Sequence, residues 1–199
     1  MDDPRSHIGR HILRAIQGVE EPLASPIDQL FPCGFCGQSQ LEHPECGIKL
    51  KVTARGIDVD TRCPYQVNIK FTYADKGSQR CPCCNVPVIC LLCPLPLRTR
   101  ETDWREGIWR YNMEQHLNFF HPEYSHPGKL SGLPLPTNMA DAVLLTPLEE
   151  TKLGVPLCPE FTHFTTNNAP GGEKRKHANG KMVAMTAASS SGKHTRMNK

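Results

Sequence analysis

At 199 residues, with a formal net charge of +3, ten cysteines, 18 prolines and 15 glycines, the chain suits one ordinary domain or two very small ones. Proline and glycine interrupt it every few residues. That excludes long helices and an extensive sheet, and leaves small modules whose thin cores need staples. No stretch approaches the roughly 18 apolar residues of a membrane span.

The N-terminus "MDDPRSHIGRH" shows no apolar leader, so the thiols are expected to stay reduced. Clustered cysteines then read as zinc ligands rather than disulfides. Charge is uneven. From Pro170 onward there are seven Lys or Arg and one Glu, a balance of +6, which leaves 16 basic and 19 acidic residues before it, a balance of −3. A zinc held by four thiolates makes that body about two units more negative. A body without positive excess is a poor start for tight phosphate binding.

Residues 1–30 are expected to form an amphipathic helix and a linker. Ile8, Ile12, Ala15, Ile16 and Val19 share one stripe, and Pro22 and Pro26 stop the helix. It reads as a docking helix over a zinc core, with a dimerisation helix as the alternative. His7 and His11, one turn apart, could touch a metal together, but with no cysteine near them in sequence they read as surface histidines. Residues 31–88 form a cysteine-rich β module. Ile48, Leu50 and Val52 alternate with lysines, Ile57 and Val59 with aspartates, and Val67, Ile69 and Phe71 repeat the pattern. Gly56 ends the turn between the first two runs, so a short antiparallel meander is expected.

"FPCGFCGQS" supplies the knuckle Cys33-x2-Cys36, followed by Gly37, which lets backbone amides turn towards the sulfurs. Cys46 begins the first strand and Cys63 ends the second. The hairpin therefore brings them to one end, and the four make a four-thiolate site. "CPCC" offers Cys81, Cys83 and Cys84 nearby, with Cys83 the first substitute. A ribbon joining Cys33 and Cys36 to Cys90 and Cys93 ranks lower, because it idles a well-spaced histidine pair.

Residues 89–127 read as a two-Cys two-His finger: Cys90-x2-Cys93, then His116-x4-His121 at the end of a helix expected from about Trp104 to Phe120. Two thiolates and two neutral imidazoles close the site, which is structural because no position is left for water. The Cys-to-His gap exceeds the usual ~12 residues, and "LRTRETDWREG" accounts for the excess. His126 is a weaker substitute for His121. Residues 128–164 are Pro-rich with short helices. One lies around "NMADAVLL". In "TPLEETKLGVP" the second has Thr146 as N-cap, Pro147 at the first position, Glu149 completing a capping box and Gly154 as stop. Cys158 is isolated and reads as a buried thiol. Residues 165–199 are expected to be a disordered basic tail.

"PCGFCG", "CPY", "CCNVPVICLLCP", "WRYNMEQHLNFFHPEY" and "TPLEETKLGVP", in that order between Pro32 and Pro156, resemble an uncharacterised family of zinc-finger proteins from mushroom-forming fungi. That resemblance implies cysteine and histidine zinc binding with no attached activity. It also implies Cys83 as a ligand of the first site in place of Cys46 or Cys63. Residues 90–121 are similar, more weakly, to BED-type fingers, a class associated with DNA binding.

The sequence predicts small α+β zinc-stabilised modules. A β-meander with a four-cysteine knuckle precedes the finger and its helix, with two zinc ions in all. No Walker-type loop, dinucleotide fingerprint or nucleophile elbow occurs, and a RING-type ligase lacks its Cys-x-His pair between Cys46 and Cys90. An enzyme, a small-molecule substrate and a membrane partner are not expected. The reading is a nuclear zinc protein binding DNA through Arg105, Arg110 and Gln115 of the finger and Lys174, Arg175 and Lys176 of the tail. The alternative is a zinc-stabilised protein-interaction module. A positive finger-helix face favours nucleic acid, and a neutral one with exposed aromatics favours a protein partner.

Overall fold

A computed structural model describes residues 3–94 and 103–165. The expected tail contacts Lys174, Arg175 and Lys176 lie outside the described residues. The first helix, α1 (Pro4–Ile16), is capped by the Asp3 carboxylate, which accepts from the Arg5 amide. It buries Arg5, Gly9, Ile12 and Leu13, with Ile8 and Ile16 half-buried beside them, while Ala15 is exposed. The buried stripe is thus rotated from the expected one, because Gly9 admits the close approach of Cys83: a Cβ there would lie 2.4 Å from its Sγ.

Strands β1 (Ile48–Thr53) and β2 (Gly56–Thr61) form a hairpin with a two-residue turn and a register that places Ile48 opposite Thr61. Lys49 faces Asp60 and Lys51 faces Asp58, opposite charges at directly paired positions. Ile48 and Leu50 are buried, whereas Val52 and Ile57 are exposed because the hairpin tip runs past the core.

The third strand is not where alternation placed it. Residues 67–71 make no strand. The Gln66 amide closes a turn onto the Cys63 carbonyl, and Val67 and Ile69 pack against the cysteine cluster instead of the β2 edge. The chain reaches a one-turn helix, α2 (Phe71–Ala74), and then a short strand, β3 (Pro87–Val88). The antiparallel sheet is completed on the other edge of β1 by β4 (Arg105–Glu106).

The helix expected from Trp104 starts only at Met113. β5 (Ile108–Trp109) pairs with β3, and a 3-10 turn over Arg110–Asn112 leads into α3 (Met113–Phe120). The near-helical spacing of Ile108 and Tyr111 is overridden by Trp109, whose ring is fully buried among the four cysteines, edge-on to Phe35. Burying an aromatic side chain of this size removes about 150–250 Å² from water.

Beyond α3, β6 (Leu135–Pro136) precedes α4 (Ala140–Val143) and α5 (Pro147–Leu153), and β7 (Phe164–Thr165) pairs parallel with β6. Thr165, the first residue of the expected tail, is therefore in a strand. The start and end of α5 match the sequence expectation. The Thr146 hydroxyl accepts from the Glu149 amide, Glu149 reciprocates, and Gly154 closes the helix at φ 67°.

Among the described residues three apolar clusters organise these elements. One surrounds Cys33, Cys46 and Cys63 with Ile48 and Trp109; one joins α1 to α5 through Ile12, Leu13, Tyr111 and Leu153; one packs Cys90, Met113, Leu117, Leu135 and Met139. Among the described residues no helix is long and apolar enough to cross a membrane.

Candidate metal centres

The Pro32–Ser39 loop is closed by a bridge between its ends, the Cys33 amide donating to Gln38 and the Gly37 amide to Cys33. Gly37 has φ 78°, a conformation that costs a side-chain-bearing residue energy, and it turns the chain sharply enough to aim both sulfurs inward. The Phe35 amide lies 3.5 Å from the Cys33 sulfur. Cys46 ends a 3-10 turn just before β1, and Cys63 follows β2, so the hairpin register delivers the second pair.

Cys33, Cys36, Cys46 and Cys63 converge, with all four sulfurs within 4.8 Å of one another. Cys33 and Cys63 sulfurs are 3.8 Å apart, and those of Cys36 and Cys46 are 3.6 Å apart. Tetrahedral bonds of ~2.3 Å to zinc would hold sulfurs about 3.8 Å apart, whereas a disulfide needs ~2.05 Å. None of the ten cysteines is in a disulfide. Burial pushes the Cys33 thiol up to about 12, against the Phe35 and Cys36 amides, and raises Cys46 and Cys63 as well. Thiolates are disfavoured here unless a cation shares the site. The cluster can hold a metal ion.

The second cluster gathers Cys90, Cys93, His116 and His121. Cys90 and Cys93 follow β3, Cys93 in a bend. His116 sits inside α3, and His121 caps it, its amide donating to Leu117. The Cys93 sulfur is 3.3 Å from both His116 Nε2 and His121 Nε2. Bonds of ~2.3 Å to sulfur and ~2.05 Å to nitrogen would give about 3.5 Å. Burial, helped by His121, lowers His116 to about 4, so it is the neutral imidazole that a metal requires. Burial, then Cys90, pushes the Cys93 thiol up to about 11. This cluster too can hold a metal ion.

The remaining candidates lie elsewhere. Cys83, which the resemblance implied, is buried with its sulfur 3.6 Å from the Tyr111 hydroxyl and belongs to the α1–α5 core. Cys81 and Cys84 are likewise outside both clusters. The ribbon partition fails because Cys33/Cys36 and Cys90/Cys93 sit in different clusters. His126 accepts from the Gly128 amide at Nδ1 and hydrogen-bonds Asn118 through Nε2, so it does not substitute for His121. Cys158 is half-buried, not buried, and lines a cleft of about 270 Å³ with Glu114, Glu150, Val143 and Phe161. In that cleft, burial pushes Glu114 up to about 6.

Two expected nucleic-acid contacts need correction. Arg110 is buried; its guanidinium pairs with Glu149 at 2.7 Å and also bonds the Asp141 and Leu144 carbonyls. Gln115 is spent on the chain itself, accepting from the Phe31 amide at 3.0 Å and donating to the Gln29 carbonyl at 2.6 Å. Arg105 is half-buried on β4, opposite Leu50.

Sequence reasoning overlooked Phe31, Phe119 and Phe120. Phe119 and Phe120 are 60% and 62% exposed on α3, and the Phe31 ring lies 5.5 Å and 6.4 Å from theirs. Phe31 holds φ 48°, a strained conformation for an aromatic residue, and Gln115 braces it there. Part of the signal was present in "NFFHPEY": Phe119 falls off the Met113–Leu117 stripe, whereas Phe120 continues it to the last helical position, 4.9 Å from the His116 ring.

No protein-family model, curated protein or solved structure matches the chain. The functional reading therefore rests on the residues themselves.

Proposed function

We propose that the chain is a zinc-structured protein-interaction module. Two closed clusters, four thiolates in one and two thiolates with two imidazoles in the other, suit zinc in structural roles. Neither leaves a protein-free position for substrate. The ions' part is to neutralise buried thiolates and to fix three otherwise thin cores.

The observation that carries the interaction reading is the face of α3. It exposes Phe119 and Phe120 and contains no Lys or Arg, while Arg110 just before it is neutralised by Glu149. Aromatic residues freed from a core are characteristic anchors of protein interfaces. A helix without cations has nothing to set against phosphates.

DNA contact is kept as a second reading for one reason, the +6 balance from Pro170 onward. Binding to random and selected duplexes, with and without residues 170–199 and at two salt concentrations, separates the two. The proposal expects any affinity and its salt dependence to disappear with the tail. Sequence preference that survives the truncation would make the finger a base reader and defeat it. Conversely, a peptide ligand selected on the intact protein should lose binding in Phe119→Ala and Phe120→Ala while metal content is unchanged.

A further inference from the structure

We propose that His7 and His11, on the solvent side of α1, form a third metal site, open and exchangeable, for a divalent transition-metal ion such as Zn2+. Residues four apart on a helix stand over one another. Here the two Nε2 atoms converge at 3.3 Å, with the rings edge-to-face and their centroids 4.6 Å apart. Two nitrogens bound tetrahedrally at ~2.05 Å would be about 3.3 Å apart. The pair is already set at chelating distance.

The second observation is Glu21. Its Oε2 lies 2.8 Å from His11 Nδ1, and its other oxygen pairs with Arg14 Nε at 2.7 Å. A carboxylate on Nδ1 places the proton there and leaves the Nε2 lone pair bare. That is the arrangement by which metal-bound histidines are oriented and made more basic. With Nδ1–H engaged, His11 Nε2 can only accept: a hydrogen from His7, or a cation shared with it. His7 is exposed, so the mouth of the pair faces solvent. Two protein nitrogens leave the other positions to water or to a partner's donor. Such an ion exchanges freely, unlike ions in the two closed clusters.

The test is a calorimetric titration of the full-length chain with Zn2+ alone, after dialysis has removed loosely held metal, alongside His7→Ala, His11→Ala and Glu21→Gln. Wild type should take up one further equivalent that both alanine variants lack. Glu21→Gln should keep it with about 10–100-fold weaker affinity. Co2+ in place of Zn2+ should give ligand-field bands for that equivalent without thiolate charge transfer. Reading the difference between wild type and His7→Ala makes the result independent of what fills the cysteine clusters. No further equivalent in wild type, equal uptake by His7→Ala, or a thiolate band on the added ion would overturn the proposal.

Discussion

Glu149 accepts from four donors although it is fully buried. Arg110 Nη1 and the Tyr111 hydroxyl reach Oε1 at 2.7 Å, the Cys84 amide reaches it at 3.1 Å, and the Thr146 amide reaches Oε2 at 2.9 Å. Burial pushes this carboxyl up, but Arg110, Tyr111 and Thr146 together hold it below its ordinary 4.5. Its contribution to stability is therefore complete above the unfolded value and fades as pH falls through the lower folded value. Glu149→Gln leaves Arg110 buried without its counter-charge and should cost about 3–5 kcal/mol at neutral pH. Urea denaturation of both proteins at pH 7 and near pH 4 checks this, with the gap narrowing at the lower pH. Acid release of metal is common to both, so the difference reads the pair. A gap that widens on acidification would contradict the account. Only half of this residue's role was legible in the sequence. Its capping-box position is local, whereas its partnership with Arg110 spans 39 positions and no periodicity encodes it.

At the scale of elements, α5 was readable because its cap, first-turn proline and terminal glycine act within one helix. Thr146→Ala should cost about 1 kcal/mol, measurable in the same denaturation series. The knuckles were readable for a similar reason, since spacing and a following glycine are local. The third strand and the start of α3 were not. Each depends on where Trp109 and the cysteine cluster draw the chain, and alternation cannot say whether a buried face meets a sheet or a metal site. Gly34 shows how tightly that cluster is closed: a Cβ there would lie 2.4 Å from the Trp109 ring. Gly34→Ala must displace the indole or the knuckle and should destabilise by about 1–3 kcal/mol. A shifted Trp fluorescence maximum would accompany it. An unchanged midpoint and spectrum would mean the ring is not seated there.

Across the whole molecule, the segments expected as separate modules are tied together. The Asn112 side chain donates to the Pro32 carbonyl, Gln115 clasps Gln29 and Phe31, and Arg14 reaches the Leu153 and Gly154 carbonyls. The aromatic face thus sits where the four-cysteine loop meets α3, so its display depends on both clusters keeping their shape. Structural zinc contributes about 10–16 kcal/mol to such modules in peptides at neutral pH. The most direct test is elemental analysis of wild type, Cys46→Ser and His116→Ala, purified without chelator and dialysed free of exchangeable metal. The account predicts close to two zinc ions per chain in wild type and close to one in each variant. Protease sensitivity around α3 should rise more in His116→Ala, whose lost ligand lies within that helix, than in Cys46→Ser. A wild-type count of one or none, or variants that still hold two, would contradict it.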